Sequence, residues 1–119
     1  MLTPKEIAEA AVKALDSKKA KDVKLLETHD ITVLADYFVI CTASSTTQIK
    51  SLSDVVAKEL SEKGETPLRT EGHRGGGWIL VDFGCVVVHI FLEEMRKFYN
   101  LEHLWADAPE VDITALLEE

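Results

Sequence analysis

Apolar and polar positions follow two rhythms along the chain, and the switches between them mark the elements. From Pro4 onward, Ile7, Ala11, Ala14 and Leu15 fall on one side of a helical repeat, which predicts a helix over residues 4–18. Thr3-Pro4-Lys5-Glu6 supplies its start: threonine can cap, proline suits the first helical position, and Glu6 completes a capping box. Residues 22–27 are short and apolar and read as a strand. Residues 36–42, DYFVICT, are rich in aromatic and β-branched side chains and read as a buried strand. Helical spacing returns at Ile49, Leu52, Val55, Val56 and Leu60. Cap candidates Ser44, Ser45, Thr46 and Thr47 precede this second helix, and Gly64 ends it.

The second half of the chain is strand-rich. Residues 66–70 read as an edge strand, because Pro67 cannot donate a ladder hydrogen bond. The glycine-rich run 72–77, GHRGGG, reads as a connecting loop. Residues 78–83 and 85–92 form a hairpin turning at Phe83-Gly84, so that Asp82 pairs with Cys85, Leu80 with Val87 and Trp78 with His89. Alternation then places Trp78, Leu80, Val87, His89 and Phe91 on one face of the sheet. Ile79, Val81, Val86, Val88 and Ile90 fill the other. The second set is aliphatic and looks like core. The first mixes Trp, His and Phe, a composition enriched at protein interfaces. Helices covering both faces would be the alternative, common in α/β folds. Residues 93–99 read as a short helix, and 101–105 as a further helical turn or packed arm. The order predicts one α/β domain, a mixed β-sheet flanked by helices.

Composition narrows the function classes. At 119 residues, with 46% hydrophobic and 29% charged positions, the chain can bury one real core. No apolar run reaches the ~18 residues of a membrane helix. The start, MLTPKEIAEA, has no basic-then-apolar signal pattern. The expected compartment is the cytoplasm, or an organelle matrix if a leader has been removed. Cys41 and Cys85 lie in apolar runs without a CxxC, which favours reduced, buried thiols. The formal charge of −8 argues against direct nucleic-acid binding, since the nine Lys of residues 1–65 are interleaved with eleven acids. Any charge-driven partner should be basic.

Candidate catalytic motifs fare poorly. Asp82-Phe83-Gly84 matches a kinase magnesium motif, but no glycine-rich phosphate loop, paired lysine or His-Arg-Asp loop accompanies it. His73-Arg74-Gly75-Gly76-Gly77 runs into a strand, whereas a phosphate loop runs into a helix. The histidines His29, His73, His89 and His103 are scattered. His89 with Glu93 gives two ligands and no third, so no metal site is expected. The hydroxyls at 44–47 lack a GxSxG elbow. No catalytic residue and no cofactor are expected.

Two longer strings carry more. DYFVICTASS at 36–45 and WILVDFGCVVVHIFLEEMRKFYNLEHLW at 78–105 closely resemble the ribosomal silencing factor family, also called Iojap-related. The resemblance runs from the first helix to Trp105, which suggests a domain over 1–105 and an acidic tail over 106–119 with five acids. It implies a nucleotidyltransferase-like fold that needs no catalysis. It also implies binding to the large ribosomal subunit through large-subunit ribosomal protein fourteen, on the joining face. The small subunit is then kept from docking and translation is repressed when nutrients are short. Organelle relatives aid large-subunit assembly. Matching residues expected to line the partner surface are Trp78, Leu80, Asp82, Phe83, His89, Phe91, Met95, Arg96 and Tyr99. Trp78 and Tyr99 would be anchors, and Asp82 and Arg96 polar contacts setting register. Glu94, Glu102 and Trp105 also match and would dock the last helix. A homodimer covering the Trp78 face of the free protein is a further expectation. An active nucleotidyltransferase is the rival reading. Neither Asp82 nor Asp36 has a second acid two residues away, as clustered metal-holding carboxylates would need.

Overall fold

Helix α1, Pro4–Ser17, starts on the predicted capping box. Glu6 N–H donates to Thr3 Oγ1 at 3.1 Å, and Thr3 N–H donates to the Glu6 carboxylate at 2.9 Å. The computed structural model describes residues 2–28, 35–72, 77–100, 103 and 108–116. Strands β1 (Lys21–Glu27) and β2 (Tyr37–Ala43) follow. Helix α2 (Thr46–Glu62) is capped by Ser45, whose Oγ accepts from Gln48 N–H at 3.1 Å. Next come β3 (Arg69–Gly72), β4 (Trp78–Asp82) and β5 (Val86–Leu92), and β5 runs directly into α3 (Glu93–Tyr99). A two-residue strand β6 (Glu110–Val111) and a 3-10 turn at Thr114–Leu116 end the described chain.

The strands form one six-stranded sheet in the order β3-β4-β5-β2-β1-β6. Among the described residues, the central pair, β2 with β5, is parallel and the other four pairings are antiparallel. The fold is therefore the expected α/β class with a mixed sheet. Helices α1 and α2 cover one face. Ile7, Val12 and Leu15 of α1 and Ile49, Leu52, Val56 and Leu60 of α2 meet Val39, Cys41, Val81, Val88 and Ile90 of the strands. Complete burial of side chains of this size contributes about 1.5–3 kcal/mol each, which makes this layer the main core. Cys41 lies within it as a free thiol that burial pushes up to about 12.

Three expectations change. The β4–β5 register is shifted by two residues: Trp78 pairs with Phe91, Leu80 with His89 and Asp82 with Val87. The turn moves to Gly84-Cys85, where Gly84 adopts φ +90° and Phe83 N–H donates to Val86 O at 2.9 Å. Asp82 fixes this turn by accepting from Gly84 N–H at 2.7 Å. A shift of two preserves the faces, so the division into aliphatic and aromatic sides stands. Second, the edge strand lies at Arg69–Gly72, beyond Pro67 rather than around it. Third, residues 108–116 of the expected tail belong to the fold. β6 pairs with β1, Glu27 N–H donates to Pro109 O at 2.8 Å, and Ile113 is buried in the main core. Of the arm expected at 101–105, and of the loop 73–76, almost all lies outside the described residues.

Candidate functional site

The second face of the sheet is built on different side chains. Phe38 and Ile40 of β2, Val87, His89 and Phe91 of β5, and Trp78 and Leu80 of β4 lie on it, with Met95 of α3 at one end. Trp78 stacks on Phe91 with centroids 5.1 Å apart, and Phe38 meets His89 edge-on at 5.2 Å. Such ring pairs contribute about 0.5–1.5 kcal/mol beyond the area they bury.

His89 sits in the middle of this face and is 6% exposed. The Trp78 indole N–H donates to His89 Nδ1 at 3.3 Å, which assigns the imidazole proton to Nε2. That Nε2 is buried and has no hydrogen-bond partner among the described residues. Burial drives the imidazole down to about 4, while the Asp82 carboxylate pulls weakly the other way. His89 is thus a neutral core group that orients Trp78.

At the end of the face, Leu92 N–H donates to Gly77 O at 2.9 Å, closing β4 onto β5. Met95 packs directly on Gly77: a Cβ there would stand 2.6 Å from Met95 Cγ. Toward the edge strand, a hollow of about 220 Å³ is lined by Glu71, Gly72, Trp78 and Leu80. Arg69 lies beside it, 3.2 Å from Asp82 and 3.7 Å from Glu71.

The nine residues expected to line a partner surface do not all share one situation. Trp78, Leu80 and Met95 lie on the aromatic face and are half-buried. His89 and Phe91 lie on the same face but are buried, so they support that surface from beneath rather than forming it. Phe83 is on the opposite side, 8% exposed within the helix-covered core, because the shifted turn points it there. Asp82 is half-buried and bonded to the Gly84 amide and Arg69. Arg96 folds back onto its own chain, donating to Asp22 O and Thr42 Oγ1. Tyr99 closes α3, and its side chain lies outside the described residues, as do Glu102 and Trp105. Glu94 is exposed on α3.

Two exposed apolar side chains escaped the sequence reading: Leu68, 74% exposed, and Phe98, 78% exposed. Phe98 follows Met95 by three positions, and that spacing was the available signal. Among the described residues, no group of three His, Cys, Asp or Glu is placed to hold a metal ion. Glu93, the imagined second ligand beside His89, instead pairs with Lys97 at 3.4 Å on the exposed side of α3. No helix among the described residues is long and apolar enough to cross a membrane.

Fold and site define a small α/β domain that offers a half-buried aromatic and aliphatic surface on one side of a mixed sheet. Residues 2–119 match the family described as ribosomal silencing factor during starvation, and the chain belongs to that family. It is 38% identical over 116 residues to the ribosomal silencing factor RsfS of Halalkalibacterium halodurans, covering 98% of this chain and 99% of that one. A crystal structure of a protein from Chromobacterium violaceum superposes with a TM-score of 0.85 at 38% identity, covering 88% of each chain. A mouse protein named mitochondrial assembly of ribosomal large subunit protein 1 is 31% identical over 97 residues, 79% of this chain and 42% of its own length. The family match includes residues 106–119, in keeping with the structural part played by 108–116.

Proposed function

We propose that this chain binds the large ribosomal subunit through its protein fourteen and, by occupying the joining face, keeps the small subunit from docking. Translation is thereby repressed when nutrients are short. The observation that carries this reading is the Trp78–Leu80–Met95 surface, half-buried and apolar, on a chain of formal charge −8. Trp and Met are enriched at interface centres, and an acidic domain is steered toward the basic proteins of a ribosome. Trp78 is the anchor, held at a fixed angle by Phe91 and His89 beneath it. The mechanism is exclusion of volume and calls for no cofactor and no nucleotide. Co-sedimentation with separated subunits tests it: the protein should pellet with the large subunit and stay in the supernatant with the small one. Pelleting with neither, or with both equally, would count against it.

A second reading, assistance in assembling the large subunit, is favoured by the name of the mouse relative. Both readings use the same surface. They separate in a strain lacking the protein, where an assembly factor leaves large-subunit precursors and a pure silencing factor leaves complete subunits.

A further inference from the structure

Helix α3 has seven residues, well below the ~12–15 that an isolated helix needs in water. Its position must therefore come from contacts with the sheet. Met95 on Gly77 is one such contact. Another is Arg96, whose Nη1 donates to the Asp22 carbonyl at 2.8 Å and to Thr42 Oγ1 at 2.7 Å. Thr42 is on β2 and 6% exposed, so its hydroxyl is a buried acceptor facing the helix. Asp22 is more unusual. It lies where the β1–β2 register slips between Lys21 and Lys24, and it adopts φ +49°. Aspartate tolerates this left-handed conformation better than most residues, and the bulge leaves the Asp22 carbonyl without a partner strand position. Arg96 takes that carbonyl up. The Arg96 carbonyl in turn accepts from Asn100 N–H at 2.8 Å, and Asn100 ends the helix at φ +46°.

We propose that Arg96 is a positioning residue: it clamps α3 to the β1 bulge and to β2, and so fixes the orientation in which Met95 and Phe98 are presented to a partner. This replaces the expected role of Arg96 as a polar contact across the interface. It rests on the silencing reading only for the identity of the partner; the clamp itself is internal. Arginine suits this place because the planar guanidinium holds the two Nη1 hydrogens in fixed directions, one toward each acceptor. One planar guanidinium satisfies a carbonyl and a hydroxyl from two strands, which a lysine ammonium on a flexible stem does less well.

The test compares wild type with R96A, R96K and T42V, by amide hydrogen exchange of residues 93–99 and by affinity for isolated large subunits at several salt concentrations. T42V is the informative variant, because a residue buried beneath α3 cannot touch a partner. Clamping requires faster exchange across 93–99 in both R96A and T42V. Affinity should fall about tenfold in R96A and severalfold in T42V, the size expected for losing charge-assisted hydrogen bonds, with R96K in between. The salt dependence of binding should keep its wild-type slope in R96A, since no intermolecular ion pair is lost. Exchange at 93–99 unchanged in R96A would overturn the proposal. So would T42V binding like wild type while R96A does not, the signature of a direct contact. If wild type itself ignores large subunits, the silencing reading fails, and exchange alone still decides the clamp.

Discussion

The two faces of the sheet are built differently from the same strands. One is mostly aliphatic, largely buried and covered by two long helices; the other is aromatic and ends in half-buried Trp78, Leu80 and Met95 beside a seven-residue helix. Strand alternation alone makes this possible, because successive side chains of β4 and β5 go to opposite sides. On the first face, packing sets stability. On the second, a layer of buried rings, Phe38, His89 and Phe91, serves as a rigid bed for the side chains above it. Aromatic rings suit that task, since they fix geometry through stacking and carry polar atoms that aim a neighbour, as His89 aims Trp78.

The contrast can be broken most forcefully from the aliphatic side. Ile90 is 0% exposed, so Ile90→Ala should cost about 2–5 kcal/mol in a denaturant melt, while the variant that remains folded binds large subunits normally. A large loss of affinity in folded Ile90→Ala would mean that the faces are not independent.

His89 gives the next largest effect, and through pH. Its folded pKa of about 4 lies below the ordinary 6.5, so between these values the unfolded chain binds more protons than the folded one. Stability is complete above pH 6.5 and falls as pH drops through the window to about 4, by roughly 3 kcal/mol in all. His89→Phe should flatten that part of the stability profile, measured by melts at stepped pH. An unchanged profile would show that His89 is charged or solvated in the fold.

Trp78→Ala should act mainly on binding. Loss of a central aromatic anchor should weaken association with the large subunit by about 2 kcal/mol or more, with the domain still folded by circular dichroism. Unfolding of the variant would instead assign Trp78 to the core. The smallest effect belongs to Phe98, 78% exposed: Phe98→Ser should move stability by no more than about 0.5 kcal/mol while still lowering affinity. A variant that binds at full strength would remove Phe98 from the surface.

Much of this architecture was legible in the residues. The Thr3 capping box, the apolar stripes of α1 and α2 and the two-faced hairpin depend on local spacing, and local spacing is what a sequence displays. The register of β4 against β5 was misread by two residues because Phe83-Gly84 and Gly84-Cys85 both offer a glycine turn. The choice between them depends on Asp82 capping the Gly84 amide and on Phe83 finding the core. The place of Ile113 in that core was hidden by the acids around it. Arg96 was the least legible residue: its acceptors come from a bulge and a strand 74 and 54 positions earlier in the chain. No local pattern announces a pairing of that kind.

The most direct measurement is light scattering of mixed ribosomal subunits, with the protein added before or after joining. Steric exclusion at the Trp78 face gives inhibition when the protein comes first, reversal by excess small subunit, and little effect on particles already joined. Trp78→Ala, added first, should inhibit only at much higher concentration. Equal inhibition in both orders of addition, or joined particles that form with the protein still bound, would contradict exclusion as the mechanism.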